Sequence, residues 1–263
     1  MIDTEQKFIQ PGTRPTGARN EREAAAHVRR MFTQIAPRYD LLNHLLSFSL
    51  DRLWRQHTAR EFVHILRRGD ARVLDVCCGT GDLAIALDRA REKSLRHGSE
   101  TRRYILGCDF VPPMLVRAQE KAVKRKRRVE FAAADALSLP FPGGTFDLIT
   151  TAFGFRNLAN YEQALAEFAR ILKPKGGIGI LEFSQPESGP MAAAFRFYFR
   201  RILPVLGGAI SGSREAYSYL PASVTKFPLP DVFSAMIERA GFIKVRHRSW
   251  NFGSVILHTA RRP

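Results

Sequence analysis

The sequence predicts an α/β fold in which helices cover both faces of a mostly parallel sheet. From residue 72 onward, short apolar runs alternate with segments of helical length, and this alternation is typical of parallel sheets. A glycine-rich turn separates the first apolar run from the first helical segment. The 263 residues, 45% hydrophobic and 25% charged, can bury a full core. We therefore expect a doubly wound sheet with appended elements.

Helices are expected before the sheet, over residues 20–68. Residues 1–19 hold prolines and glycines and few apolar side chains, which predicts a flexible N-terminal tail. Asn20 and Glu23 have the spacing of a capping pair that opens a helix, and its apolar stripe ends before Pro37. A second helical stretch is expected over about residues 51–66.

Five strands and three helices are expected over residues 70–184. Consecutive prolines suit the first turn of the second of these helices, and Pro174 is expected to stop the third. The predicted strands are 73–76, 104–108, 129–132, 146–150 and 177–183, and the helices are 82–90, the one from Pro112, and 161–172.

The alternation of strands and helices ends after the fifth predicted strand. Residues 186–228 are helical, aromatic and basic in character, and we expect them to form a cap over the substrate. Residues 229–263 are expected to hold a helix closed by Gly241 and then two strand-like runs, 242–250 and 253–260. A short link joins these runs, which predicts a C-terminal antiparallel hairpin and a total of seven strands.

Charge is the unusual feature of the composition. The chain has 41 Lys+Arg and 25 Asp+Glu, a formal net charge of +16. Such a surface attracts polyanions, namely nucleic acid, anionic lipid or phosphorylated substrates. The densest basic run is 124–128, which is interpreted as a solvated helix face or as a contact to anionic lipid.

Three cysteines, with Cys77 and Cys78 adjacent, make a poor disulfide framework and indicate a reducing compartment. No Cys-x-x-Cys or His-x-x-x-His pair occurs, so we expect no metal site. The N-terminus does not have the pattern of a signal peptide. The most apolar window, 191–210, contains three arginines and a proline, too many for a spanning helix. A cytoplasmic protein, peripheral on the inner face of the membrane, is expected.

The most informative motif is the turn Asp-Val-Cys-Cys-Gly-Thr-Gly-Asp over residues 75–82. Gly79 and Gly81 stand between a strand and a helix, where they let the backbone turn sharply and approach a ligand. The same glycines, with Ala84, also satisfy the dinucleotide-binding fingerprint. The turn alone therefore leaves the cofactor open.

Acidic residues around the turn favour one cofactor. Asp109 ends the second strand, where a carboxylate can accept both ribose hydroxyls of an adenosine. Asp135 and Ala136 follow the third strand, where a side-chain acceptor and a backbone N–H can bind an adenine edge; helix N-capping is the alternative role. Asp75 and Asp82 place negative charge at the turn, which disfavours a diphosphate. A cationic sulfonium with an amino-acid tail, S-adenosylmethionine (SAM), suits this field better.

Five ordered blocks carry a resemblance to a known family. They are 39–47 with Trp54, 153–157, 170–177 continuing through 181–184, 217–220 with Ser223, and Gly241-Phe242 with His258. Together with the turn, they resemble the UbiE/MenG family of ubiquinone and menaquinone biosynthesis C-methyltransferases over about residues 28–260. The resemblance implies a Rossmann-like class I methyltransferase fold. The chain departs from the family pattern at Cys78 and Lys175, usually Gly, at Asp51, usually His, and at Ala152, often Ser.

The resemblance implies methyl transfer from SAM to a ring carbon of a prenylated quinol, above all demethylmenaquinol, with the ubiquinone precursor as a further substrate. The ring carbon becomes nucleophilic when a ring hydroxyl of pKa about 10 ionises. Arg156 is expected to face the developing phenolate, Asn157 to position the quinol oxygen, and Tyr39 to line the pocket and relay a proton. The residues assigned to the cofactor are Asp75, Gly79, Thr80, Gly81, Asp109, Asp135, Ala136 and Ala152.

Expected partners are the quinol and an anionic membrane surface, with no nucleic acid, and a homodimer is left open. The aromatic and basic stretch 195–205 is interpreted as a lid that touches the bilayer or as a core helix pair. Simpler roles are a surface ion pair for Arg156 and a packed aromatic for Tyr39. Two other functions use the same fold: an RNA methyltransferase, which the charge favours, and a non-catalytic adaptor for membrane or nucleic acid.

Overall fold

The computed structural model describes residues 11–95, 104–186 and 214–263, together with positions 193, 197 and 201. The helices are α1 (Glu21–Ile35), α2 (Tyr39–Leu46), α3 (Leu50–Glu61), α4 (Val63–Leu66), α5 (Asp82–Ser94), α6 (Pro112–Lys124), α7 (Tyr161–Ile171), α8 (Arg214–Lys226) and α9 (Pro230–Arg239). The strands are β1 (Arg72–Val76), β2 (Tyr104–Asp109), β3 (Glu130–Ala133), β4 (Phe146–Ala152), β5 (Leu172–Phe183), β6 (Ile243–Trp250) and β7 (Val255–Arg261).

The seven strands form one sheet in the order β3-β2-β1-β4-β5-β7-β6. Strands β1 to β5 are parallel, and β7 is antiparallel to both β5 and β6. The predicted mostly parallel sheet with a C-terminal hairpin is thus confirmed. The strand order changes direction between β1 and β4, and ligands of such sheets bind outside the carboxyl ends of the strands at this switch point.

The central strands are buried on both faces. Leu74 of β1 and Ile149 of β4 pack with the α7 side chains on one face, while Val73 and Leu148 pack with the α4 and α5 side chains on the other. All four are fully buried. This double burial explains why these strands are continuous apolar runs rather than alternating patterns.

The structure confirms several of the predicted helix boundaries. The Asn20 side chain accepts a hydrogen bond from the Glu23 amide (2.9 Å), and α1 ends at Ile35. The single stretch predicted over 51–66 is two helices, because the chain turns at Phe62. The Phe62 ring packs against β5 at Gly179. A Cβ on Gly179 would stand 2.5 Å from this ring. Helix α2 lies within the helical region predicted over 20–68, between the two stretches that the sequence pattern indicates.

Strand β5 begins earlier than predicted. Helix α7 ends at Ile171, three residues before Pro174, and β5 starts at Leu172 rather than at about residue 177. Its pairing with β4 shifts register between Phe146 and Leu148. Lys175, where the family usually has glycine, adopts a φ of +64°. The irregular start of the strand therefore falls at a residue that departs from the family pattern.

Residues 11–14 form a strap against the loop that precedes α7. The Thr13 amide donates to the Leu158 carbonyl (2.7 Å), and the Tyr161 amide donates to the Pro11 carbonyl (2.6 Å). The Arg14 guanidinium donates to the Ala159 carbonyl (2.7 Å). Proline and glycine content does not reveal this backbone pairing, which argues against flexibility of residues 11–14, and the flexible tail over 1–19 stays a prediction. Residues 1–10 lie outside the described part.

Much of the expected cap also lies outside the described residues. Of the stretch 186–228, the structure describes residue 186, helix α8 with the two residues after it, and three isolated positions, so the cap, the lid over 195–205 and the division of the chain into these parts stay predictions. Among residues 11–95, 104–186 and 214–263, no helix combines the length and the apolar character that crossing a bilayer requires.

We predict that Gly12→Ala detaches the strap. A Cβ at this position would stand 2.1 Å from the Ala159 carbonyl oxygen, so the paired backbones would have to separate. Losing the hydrogen bonds should cost about 2 kcal/mol of unfolding free energy, measured by urea denaturation. Gly143→Ala is the control, since its Cβ would only approach the Arg170 carbonyl oxygen at 3.3 Å. Equal stability of both variants would contradict the strap.

Candidate cofactor and substrate site

The glycine turn after β1 is held open by three left-handed residues. Cys77, Gly79 and Gly81 have φ values of +53°, +53° and +80°. A Cβ on Gly79 would point toward the ring of Tyr39, 3.7 Å away, and would narrow the cleft between them. A Cβ on Gly81 would instead stand 2.8 Å from the ring of Phe131. The absence of a side chain at Gly79 therefore keeps the cleft open, whereas at Gly81 it leaves room for the Phe131 ring.

Asp109 connects this turn to the end of β2. Its carboxylate accepts hydrogen bonds from the amides of Gly79 and Val111, both at 2.9 Å. The residue is only 8% exposed. Burial raises the pKa of Asp109 to about 6, against the lowering effect of these amides. At neutral pH the carboxylate is charged, fixed in orientation and at the edge of the cleft.

Asp75 lies beneath the turn rather than in the cleft. It is fully buried, and one carboxylate oxygen accepts a hydrogen bond from the Thr150 hydroxyl (2.8 Å). Among the described residues, none lies within hydrogen-bonding geometry of the other oxygen, although the Ala84 amide is close enough to lower the pKa. Burial raises the pKa of Asp75 to about 7. Because Asp75 is buried and is not among the described residues that line the cleft, its placement does not support direct binding of the cofactor, which stays a prediction.

Thr80 and Asp82 belong to a charged cluster on the far side of the turn. Lys121 donates to the Thr80 hydroxyl and to the Asp82 carboxylate, both at 2.9 Å, and the Thr80 hydroxyl donates to Asp40. Burial opposes the ionisation of Asp82, but Arg55 and Lys121 outweigh it and hold its pKa low. The Thr80 hydroxyl is thus bound within this cluster, and the assignment of Thr80 to the cofactor stays a prediction. Lys121 and Arg125 balance the Asp82 carboxylate.

Asp135 and Ala136 lie where the sequence places them, at the far end of the cleft. They line it together with Asp109, Phe110 and Leu158. The Asp135 carboxylate accepts from the Leu137 amide (2.9 Å), which fixes the turn after β3. One of its oxygens is thus used within the turn, and the rest of the exposed carboxylate is available to a ligand.

Tyr39 and Ala152 line the middle of the cleft, beside Gly79. The Tyr39 ring meets Phe32 edge to face, with centroids 6.0 Å apart. Burial raises the pKa of Tyr39 above its usual value, although Asn43 and the positive charges of Arg55 and Arg156 oppose the shift. The phenol therefore stays protonated at neutral pH and can donate a hydrogen bond.

Arg156 does not face the cleft, which corrects the expectation that it meets a phenolate. Its guanidinium donates to the Glu182 carboxylate (2.7 Å) and to the Phe153 carbonyl, and its own amide donates to Glu182 (3.1 Å). It is 6% exposed, and Glu182 is 1% exposed. A buried cation of this kind requires a buried partner. The sequence could have indicated this partner, because Glu182 is the lone acidic residue in the apolar strand β5.

Asn157 lies in the cleft as expected, and it has partners that the sequence did not indicate. Its side-chain oxygen accepts from the Tyr219 hydroxyl (3.1 Å), which is also 2.9 Å from the Thr13 hydroxyl oxygen. Burial raises the pKa of Tyr219. The strap therefore reaches the site through Tyr219, a contact between residues 206 positions apart.

The residues that line the two adjoining pockets at this edge of the sheet have the chemistry that an adenosine with a polar tail requires. Gly79 leaves room for close approach, and the Asp109 carboxylate is the acceptor that ribose hydroxyls need. The walls are apolar, and none of the described residues that line the pockets is Lys, Arg or His. Apolar or aromatic lining side chains are Val28, Phe32, Phe110, Val111, Met114, Leu137, Phe153 and Leu158.

Comparisons with known proteins agree with this geometry. The sequence model of the ubiE/COQ5 methyltransferase family matches residues 18–262. The chain is 48% identical over 233 residues to the demethylmenaquinone methyltransferase of Thermus thermophilus, covering 89% of this chain and 100% of the relative. It is 40% identical over 243 residues to the ubiquinone/menaquinone biosynthesis C-methyltransferase UbiE of Geobacter sulfurreducens, covering 91% and 90%.

Among solved structures, a SAM-dependent methyltransferase from Aquifex aeolicus superposes with a TM-score of 0.58. It is 20% identical, and the match covers 85% of this chain and 98% of that one. At this identity the likeness concerns the fold.

We predict that SAM affinity falls about tenfold between pH 7 and pH 5. This is the ratio of the ionised fractions of a carboxyl of pKa 6, as burial gives Asp109. Protonation would remove the acceptor that we expect the ribose hydroxyls to use, and calorimetric titration measures the change. Asp109→Asn should bind weakly at every pH in this range. Asp75→Asn is the control, since Asp75 also titrates here, and it should keep the fall. A flat profile in the unmodified protein would refute this role of Asp109.

We also predict that Arg156→Ala destabilises the protein. The substitution leaves the Glu182 carboxylate buried without a cation, which typically costs 3–5 kcal/mol. Urea denaturation should detect this loss, and the double variant Arg156→Leu with Glu182→Leu should recover much of it. A variant of unchanged stability that loses only turnover would restore the catalytic role.

Proposed function

Because the chain belongs to the ubiE/COQ5 methyltransferase family, we propose that it transfers a methyl group from SAM to a ring carbon of a prenylated quinol. Membership confirms the resemblance carried by the sequence blocks. Demethylmenaquinol is the first choice of substrate, because the Thermus thermophilus relative, at 48% identity, is a demethylmenaquinone methyltransferase. The ubiquinone precursor is the second.

The observation that carries the proposal is the Asp109 carboxylate, which the Gly79 and Val111 amides fix at the edge of an otherwise apolar cleft. SAM supplies a methyl group already activated on a sulfonium. In the proposed arrangement Asp109 accepts the ribose hydroxyls, Asp135 and the Ala136 amide meet the adenine edge, and Gly79 and Ala152 border the amino-acid tail. The protein then has to align the ring carbon, and alignment alone can contribute roughly 7–11 kcal/mol.

The quinol ring is proposed to lie near Tyr39 and Asn157. Because the Tyr39 phenol stays protonated, it can donate a hydrogen bond to a quinol oxygen and so stabilise negative charge there. The Asn157 side chain, held by Tyr219, can orient the second oxygen. With Arg156 paired to Glu182, these two side chains replace it in the proposed contact with the ring.

The isoprenoid tail of such a substrate resides in a bilayer, so we propose that the protein works peripherally on an anionic membrane surface. The net charge of +16 supports this placement. A homodimer stays a prediction. The same charge favours the second candidate, an RNA methyltransferase. The adaptor function would leave the Asp109 contacts without a purpose.

We predict that the protein methylates demethylmenaquinol, and not RNA, with radiolabelled SAM. Extraction into organic solvent followed by chromatography should find the label in menaquinol. Tyr39→Phe should lower turnover about tenfold to a hundredfold, since it removes one donor from the ring site, while leaving SAM affinity within a few-fold. Label in RNA alone would establish the second candidate, and label in neither would favour the adaptor.

A further inference from the structure

A series of side-chain hydrogen bonds leads from the N-terminal strap into the cleft. The Thr13 hydroxyl oxygen lies 2.9 Å from that of Tyr219, and the Tyr219 hydroxyl donates to the side-chain oxygen of Asn157 (3.1 Å). Asn157 lines both pockets of the cleft, and Thr13 is 5% exposed. These three side chains, called the hydroxyl relay below, therefore connect a buried group of the strap with the site.

The direction of each bond in the relay follows from the chemistry of its atoms. The Asn157 side-chain nitrogen makes a long hydrogen bond to the Phe153 carbonyl (3.5 Å). A carbonyl oxygen can only accept, so the nitrogen end of the amide lies on that side and the oxygen end faces Tyr219. The amide oxygen accepts the single hydroxyl hydrogen of Tyr219. The Tyr219 oxygen therefore accepts from Thr13, and both hydroxyl hydrogens point toward Asn157.

This arrangement leaves one donor of the Asn157 amide for a ligand. The amide nitrogen carries two hydrogens, and among the described residues the Phe153 carbonyl is its one partner. The other hydrogen is available to an acceptor in the cleft. Hydrogen bonds in series polarise one another and strengthen the last donor. An oxygen that gains negative charge is the acceptor that profits most from such a donor.

Fastening the strap does not require the Thr13 hydroxyl. The backbone of residues 11 and 13 pairs with the loop before α7. The Arg14 guanidinium donates to the Ala159 carbonyl (2.7 Å), and the Lys226 ammonium donates to the Arg14 carbonyl (3.3 Å). Since these contacts hold the strap without the hydroxyl, the bond from Thr13 to Tyr219 can act on the amide rather than on the strap.

We propose that Thr13 and Tyr219 are positioning residues, whose hydroxyls hold the Asn157 amide with one N–H donor directed at a quinol oxygen. The inference rests on the proposed function for the identity of this acceptor. It goes beyond the family comparison, because the family model matches residues 18–262 and Thr13 precedes them. In this arrangement the strap supplies part of the substrate site.

Thr13→Val tests the first member of the relay, since it keeps the shape of the side chain and removes the donor. With a short-chain, water-soluble quinol, kcat should fall roughly fivefold, the factor that one hydrogen bond typically contributes. SAM affinity, measured by calorimetry, should stay within twofold, because the relay ends at the quinol. Thr13→Ser retains the hydroxyl and should recover most of kcat. Failure of the serine variant to do so would overturn the role of the hydroxyl.

Thr58→Val is the matched control. Thr58 is fully buried, and its hydroxyl donates to the Trp54 carbonyl within α3 (2.9 Å). The substitution thus removes a buried threonine hydroxyl and its hydrogen bond without altering the strap, and kcat should stay within twofold. An equal fall of kcat in both valine variants would overturn the relay, because the loss of any buried hydroxyl would then explain the result.

A double-mutant cycle identifies the group through which Thr13 acts. Asn157→Ala should lower kcat by itself, and adding Thr13→Val should lower it no further, because the hydroxyl acts only through the amide. A further fivefold fall would overturn the proposal. Hydrogen exchange at the backbone amide of position 13 should be equally slow in the unmodified protein and in Thr13→Val. Faster exchange in the variant would also overturn it, since kcat would then report a detached strap.

Tyr219→Phe tests the middle of the relay and should lower kcat at least as far as Thr13→Val does. Tyr161→Phe is its control, since Tyr161 is also buried but its hydroxyl donates to the Arg156 carbonyl (2.9 Å) rather than to Asn157. A fall of kcat in Tyr219→Phe no larger than that in its control would remove Tyr219 from the relay.

Ionisation of bound 4-nitrophenol separates this proposal from the proposed function, because absorbance reports it without methyl transfer. Donors that face the phenolate should lower the pKa of the bound phenol. Thr13→Val should therefore raise that pKa by roughly half a unit to one unit relative to the unmodified protein, and Thr58→Val should leave it unchanged. This result without quinol turnover by the unmodified protein would reject the proposed function and keep the relay. Quinol turnover with the same bound pKa in Thr13→Val would do the reverse.

Discussion

The hydrogen bonds that the Gly79 and Val111 amides donate to Asp109 are the constraint on which the site depends. They tie the turn after β1 to the end of β2, and they hold a carboxylate in an apolar cleft where it would otherwise be protonated more readily. The turn in turn restricts its neighbours. A Cβ on Gly154 would stand 2.4 Å from the Cβ of Cys77, so the loop after β4 can approach the turn only as glycine. One buried carboxylate thus fixes the turn that borders the sheet's switch point.

The second buried interaction that supports the site is the ion pair between Arg156 and Glu182. The Arg156–Glu182 pair joins the loop after β4 to the end of β5, at 2.7 Å. A guanidinium that is already paired and desolvated is poorly available to a substrate anion. The sequence suggests a catalytic role for Arg156, but in the structure its charge stabilises the fold. Polar side chains that line the cleft instead are the Tyr39 phenol and the Asn157 amide. This arrangement suits a reaction in which the methyl donor is already activated and the protein supplies mainly alignment.

The remaining charge of the protein is organised away from the cleft. Asp82, next to the glycine turn, is balanced by Lys121 and Arg125, whereas Arg52, Arg60 and Arg89, which line a groove between α3 and α5, make no ion pair with any described residue. Helix α2 carries Tyr39 into the cleft, while its Leu41 and Leu45 are exposed. The lipid-soluble acceptor of the proposed reaction would have to pass from a bilayer to this cleft.

Local patterns in the sequence are sufficient to predict the alternation of strands and helices, the C-terminal hairpin, the family and the positions of Gly79, Asp109 and Asp135. Apolar runs, caps, glycines and residues at strand ends carry these predictions. The burial of Asp75 beneath the turn, the pairing of Glu182 with Arg156 and the contact of Thr13 with Tyr219 are visible in the three-dimensional structure alone. A side chain's partner and its burial depend on contacts between residues far apart in the chain, and such contacts leave no periodicity in the sequence.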